Sequence, residues 1–167
     1  MSTEPQQAPA ADGIGFGIAL AATGAYFILV GFGIFPVPGG EDALHAPLAI
    51  IVFAGAAFLL GGIALGIRAR AGANDRDSEL PVSAPPWTHI AYRITGIATA
   101  GSLAAIGTWI AIGSGPRAFT VSGPMVEMQT AGQTIGRTVF ALGAVIVWIY
   151  MIALTVQTVR KLFDRRT

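Results

Sequence analysis

The chain has no cysteine, and only 11% of its residues are charged. The first absence excludes disulfides, thiolate metal sites and cysteine nucleophiles. The second sets the chain apart from ordinary soluble domains, in which about a quarter of residues are charged. What charge there is lies unevenly. No Lys or Arg precedes Arg68, and no Asp, Glu, Lys or His falls within four apolar runs, Ile14–Phe35, Pro47–Ile67, Ile90–Ile112 and Thr138–Val159. Arg93 is the single charge inside them. Chemistry inside a membrane usually rests on intramembrane ionisable groups, so a proton relay and haem ligation between helices are both unsupported. Nor does the sequence hold a nucleophile–base pair, a phosphate loop or a zinc motif. The expectation is a non-enzymatic protein with no catalytic residue, cofactor or metal, and with no nucleic-acid partner.

What is present is apolar length. Hydrophobic residues make up 53% of the 167 and mean hydropathy is +0.65. Each run reaches the roughly 20 residues needed to cross a bilayer core. The fold class predicted is therefore all-α, a polytopic membrane protein with four transmembrane helices arranged as two hairpins. Residues 1–12 are expected to be a disordered leader, 13–161 the four-helix domain, and 162–167 a basic tail. The first run is 22 residues long and follows a leader without Lys or Arg. It is read as a retained span rather than a cleaved signal peptide.

Orientation follows from the cytoplasmic bias of basic residues. Eight of them (Arg68, Arg70, Arg76, Arg93, Arg160, Lys161, Arg165 and Arg166) fall on one side of a four-span topology, and two (Arg117 and Arg137) on the other. This predicts a bacterial cytoplasmic (inner) membrane protein with both termini in the cytoplasm.

Packing in lipid relies on small residues that let backbones approach. Gly17 with Ala21, Ala57 with Gly61, Gly62 with Gly66, Gly96 with Ala100, and Ala100 with Ala104 are such pairs, each four apart. They predict spans one to three close together, with a bulkier fourth outside. The same seams suit self-association. Trp87 and Trp109 stand near opposite ends of the third span as interfacial anchors, whereas Trp148 lies mid-span and needs a partner for its N–H.

Candidate polar and anion-contact positions are His89, Arg93, Thr95, Thr99, Ser102, Arg117 and Arg137. His89 and Arg93 are four apart on one helix face, suited to an anionic headgroup or substrate, or to interfacial snorkelling and topology alone. Thr95, Thr99 and Ser102 share a face of the third span, where they line a hydrated path or bond to their own helix. Arg117 and Arg137 bound the second outer loop, where they hold an anion or pair with Glu127. Glu41, Asp42 and His45 are too few and too loosely spaced to predict a metal site. The stretch Met125–Thr134 is read as one or two turns of interfacial helix, and Arg68–Thr88 as a flexible strap over the membrane surface.

The turn-rich Phe35-Pro-Val-Pro-Gly-Gly and Ala46-Pro47 before the second span, with the four-span layout, resemble the small membrane subunit of tripartite transporters of the tricarboxylate type. That resemblance implies pairing with a large carrier subunit. It carries over no functional residue. The leading expectation is an accessory or scaffolding subunit of a larger membrane transport complex, partnered by that subunit or by itself. The alternatives are a homo-oligomeric channel or carrier with its path along the third span, and a lipid-interacting protein working through its basic face.

Overall fold

The computed structural model describes residues 10–37, 46–73, 79–113 and 129–164. Within them lie four helices, α1 (Ala10–Gly31), α2 (Leu48–Arg70), α3 (Pro86–Ile112) and α4 (Gln129–Asp164). All four are long and apolar enough to cross a membrane, the architecture of a multi-pass membrane protein. At 1.5 Å per residue the 36-residue α4 is about 54 Å long, well beyond the roughly 30 Å of a hydrocarbon core.

The helix ends have local causes. Gly33, at φ +72°, lets its own N–H reach the Val30 carbonyl and that of Ile34 reach the Leu29 carbonyl. This pair of bonds is a Schellman motif. It stops α1 at Gly31, four residues short of the apolar run, although Phe32, Ile34 and Phe35 continue the apolar character. Gly72, at φ +67°, closes α2 in the same way, with bonds to Ala69 and Arg68. At the start of α3, Pro86 occupies the first turn, where its missing N–H is no loss. This puts the helix start four residues before Ile90. Helix α1 begins at Ala10, inside the stretch read as leader.

The tightest seam joins α1 to α2. Gly17, Gly24 and Gly31 recur every seven residues, close to two helical turns, and so face one side. Against them lie Gly62, Gly55 and Val52 in descending order, which makes the two helices antiparallel. A Cβ on Gly17 would stand 2.8 Å from the Gly62 carbonyl oxygen, and one on Gly55 2.7 Å from that of Gly24. Both are backbone contacts that no side chain tolerates. Gly61 and Gly66, by contrast, would meet nothing with a Cβ of their own. The four-residue spacing therefore found Gly17 and Gly62 but not the seven-residue register that aligns them.

Helix α3 packs against both α2 and α4, and α1 touches only α2. Among the described residues the helices thus form an open row, each meeting its sequence neighbours alone. This corrects the expectation that spans one to three cluster, because the glycine face of α1 is spent on α2. The α3/α4 seam is looser: a Cβ on Gly107 would stand 3.2 Å from the Ala144 Cβ, and one on Gly101 3.3 Å from the Met151 sulfur. Across the three seams the core is small. Among the described residues the buried apolar ones are Val30, Leu80, Ala100, Ala104 and Ala144, and α4 is the least buried of the four helices.

Candidate functional site

Charge is segregated along the row. Of the six described basic residues, Arg68, Arg70, Arg93, Arg160 and Lys161 lie where α2 ends, α3 begins and α4 ends, and only Arg137 lies at the opposite end. At the first of these ends, the link entering α3 folds down onto the helices. Leu80 anchors it, only 5% exposed in a chain whose buried residues are otherwise mostly Gly, Ala, Ser and Thr. The segment containing Leu80 is therefore packed, unlike the flexible strap expected over Arg68–Thr88.

Beside this anchor opens a cavity of about 300 Å³ between the link, the start of α3 and the end of α4. Its polar lining is Glu79, His89, Arg93, Thr158 and Lys161, and its apolar wall includes Leu80, Val82 and Ile90. Glu79 Oε1 stands 3.6 Å from Arg93 Nη2 and 3.8 Å from Lys161 Nζ. Two cations thus approach a single carboxylate oxygen. Neither distance reaches a close charge-assisted hydrogen bond of about 2.7–2.9 Å. The Arg93 side chain is 26% exposed, Lys161 58% and Glu79 75%. Exposed pairs of this kind are worth about 0–1 kcal/mol. On the neighbouring turn, Arg68 Nη1 donates to the Tyr92 hydroxyl at 3.3 Å, tying α2 to the start of α3.

His89 and Arg93 are brought together as their spacing predicts. Arg93 lies about two turns inside α3, since the helix starts at Pro86 and not at the apolar run's Ile90. The hydroxyls of the third span have a different use. Thr95 donates to Ala91 and Tyr92, Thr99 to Thr95, and Ser102 to Ala98, at 2.8–3.0 Å. Each proton is held by its own helix, so only an oxygen lone pair faces a neighbour. Thr88 differs: its buried Oγ1 has no hydrogen-bond partner among the described residues. Trp148 Nε1 donates to Thr108 Oγ1 at 3.1 Å, supplying the partner that a mid-span Trp needs. Arg137 donates to the Gly113 carbonyl at 3.4 Å, across the far end of the α3/α4 seam. Gln129–Thr134 runs continuously into α4 instead of forming a separate interfacial helix. Arg117, Glu127, Glu41, Asp42 and His45 lie outside the described residues.

Sequence reasoning missed Glu79, and read Lys161 only as part of the basic face, without its place beside Arg93; the two complete the cavity. Glu79 had one available signal: it is an acidic residue followed directly by a large apolar one, Leu80, in the link before the third span. For Lys161 the charge bias gave the side but not the neighbour, because only the antiparallel return of α4 brings it beside α3. The chain matches no family model, no curated protein and no solved structure.

Proposed function

We propose that this chain is a non-enzymatic accessory or scaffolding subunit of a larger membrane transport complex in a bacterial cytoplasmic membrane. Its four helices cross as two hairpins with both termini in the cytoplasm, and it acts by packing against a larger membrane partner. The observation that carries the reading is the open row. Helices that meet only their sequence neighbours enclose no interior of their own, and the two edge helices keep one face each for lipid or protein. A pathway along α3 is less favoured, because the hydroxyl protons of Thr95, Thr99 and Ser102 are already bonded within the helix. The eight-to-two basic split supports the orientation, and the resemblance to tripartite transporter subunits supports a carrier as partner.

Photo-crosslinkers placed at Ile146 and Ile149 on the exposed face of α4 test the partner in native membranes. A discrete adduct with a larger membrane protein is expected. A chain that forms only adducts with itself, and gives solute flux in liposomes alone, overturns the reading. Because the chain has no cysteine, orientation is tested by single substitutions. An impermeant thiol reagent should modify F35C and spare A73C in intact cells, and the reverse pattern refutes the topology.

A further inference from the structure

We infer that the cavity at the joined ends of α3 and α4 is a binding site for a phosphate group, held by Arg93 and Lys161 and kept closed in the free protein by Glu79. The site is independent of the accessory role. Three observations converge on it. Arg93 Nη2 and Lys161 Nζ both approach Glu79 Oε1, at 3.6 and 3.8 Å, so one anionic oxygen already occupies the position between them. The cavity of about 300 Å³ is lined on its polar side by these three groups, His89 and Thr158. Two fixed cations facing one carboxylate leave a net positive charge there, at the end of the row that also carries Arg68, Arg70 and Arg160.

The present occupant is a poor match for what surrounds it. A single carboxylate oxygen at these distances makes no close hydrogen bond to either cation. Glu79 is also three-quarters exposed, where such pairs contribute little. A phosphate offers several oxygens and can give each cation its own, at the shorter distances of charge-assisted bonds. Arg93 presents a planar fork suited to that group and Lys161 a point charge. Leu80 anchors the segment carrying Glu79, so displacing the carboxylate needs only a side-chain rotation, with the link left in place.

The apolar lip indicates where the phosphate comes from. Val82 is fully exposed at the rim and Ile90 partly so. Aliphatic groups beside paired cations suit an anionic lipid headgroup with its attached glycerol and chains, and basic pockets between helices at a membrane face take such headgroups. Free phosphate shares the polar chemistry but gains nothing from the lip.

The test is native mass spectrometry of the full-length protein in a neutral detergent. Phosphatidylglycerol, phosphatidylcholine or inorganic phosphate is titrated separately, and thermal unfolding is followed in parallel. The wild type should retain phosphatidylglycerol in preference to phosphatidylcholine. R93Q and K161Q should each weaken that retention by roughly tenfold, the loss of one charge-assisted contact. E79Q should strengthen it severalfold, because the competing carboxylate loses its charge. This opposite sign separates a ligand site from an ion pair that merely holds the link, for which all three variants would lower the unfolding temperature and leave lipid retention alone. Saturable binding of inorganic phosphate with the same three responses would assign the site to free phosphate and uphold its chemistry. Equal retention of both lipids, or retention unchanged in all three variants, overturns the proposal. K161Q alters an exposed side chain, so the test survives any folding defect of R93Q.

Discussion

Replacing Gly24 by Ala should pull α1 away from α2, while the same change at Gly61 should do nothing of the kind. A Cβ on Gly24 would lie 2.5 Å from the Gly55 carbonyl oxygen and 2.7 Å from the Leu59 Cα, and closer still to the Leu59 nitrogen. Carbon contacts are most favourable at about 3.5–4.0 Å, and all three obstacles are backbone, so no rotamer change relieves them. The helices must separate by about 1 Å locally, which forfeits a quarter to a half of each dispersion contact along the seam. Overpacking of this kind costs about 1–3 kcal/mol. Helix propensity returns up to about 1 kcal/mol on exchanging Gly for Ala, which leaves a net loss of about 2 kcal/mol or less. At Gly61 a Cβ meets nothing within 4 Å, so only the propensity gain remains. The comparison cancels the backbone contribution and isolates packing. The assay uses a cross-link: a Cβ on Gly13 would stand 3.3 Å from the Ala69 Cβ, near the spacing of about 3.5–4.5 Å in a disulfide. In a G13C/A69C background, disulfide formation is followed as SDS is added to neutral micelles. Gly24→Ala should lower the midpoint of protection and Gly61→Ala should not. Equal midpoints for the two would refute the glycine seam as the source of α1/α2 association.

Thr88→Val should stabilise the protein by about 1–2 kcal/mol in the same titration, since a buried hydroxyl without a partner is replaced by a methyl of similar shape. A loss of stability would mean that Oγ1 has a partner in the membrane. Trp148→Phe and Thr108→Val should each lose the Nε1–Oγ1 bond, worth about 0.6 kcal/mol between membrane helices. The double variant should cost less than the two singles added, and strict additivity would deny the bond. Ser102→Ala should be nearly neutral, because its hydroxyl serves only its own helix. Ser102→Leu, at a buried position, should cost about 1–3 kcal/mol by overpacking. If Ser102→Leu instead changed solute flux in liposomes without loss of stability, α3 would line a path after all.

The helices were legible in the sequence because a bilayer demands one thing of each, about 20 apolar residues, and four runs meet it. Their ends were not, because hydropathy marks where lipid begins rather than where helical hydrogen bonding stops. Helix α4 starts nine residues before Thr138, through polar residues that satisfy a helix perfectly well outside lipid. Helix α1 stops early at a glycine embedded in apolar neighbours. The candidate site was half legible. Its two α3 residues, His89 and Arg93, share a face by spacing alone, but Glu79 and Lys161 arrive from a link and from the far end of another helix. No periodicity relates them. The same limit explains the missed seam: any pair of small residues four apart looks usable, and only the partner helix decides which pairs are used.

The two outer seams of the row differ, and the difference follows from side-chain size. Helix α1 meets α2 through glycine, so backbone faces backbone and the contact has one well-defined depth. Helix α4 meets α3 through Ala144, Trp148 and Met151, side chains with rotamers to spare, so this contact has some give. Among the described helices α4 meets α3 alone, and at one end the pair is also bridged by Glu79, which interacts with Arg93 on α3 and Lys161 on α4. That bridge lies at the seam made by side chains. It does not reach the glycine seam, where backbone meets backbone. The placement of charge and the placement of glycine therefore divide the row: α1 and α2 are joined backbone to backbone, and α3 and α4 by side chains and a charged link at one end.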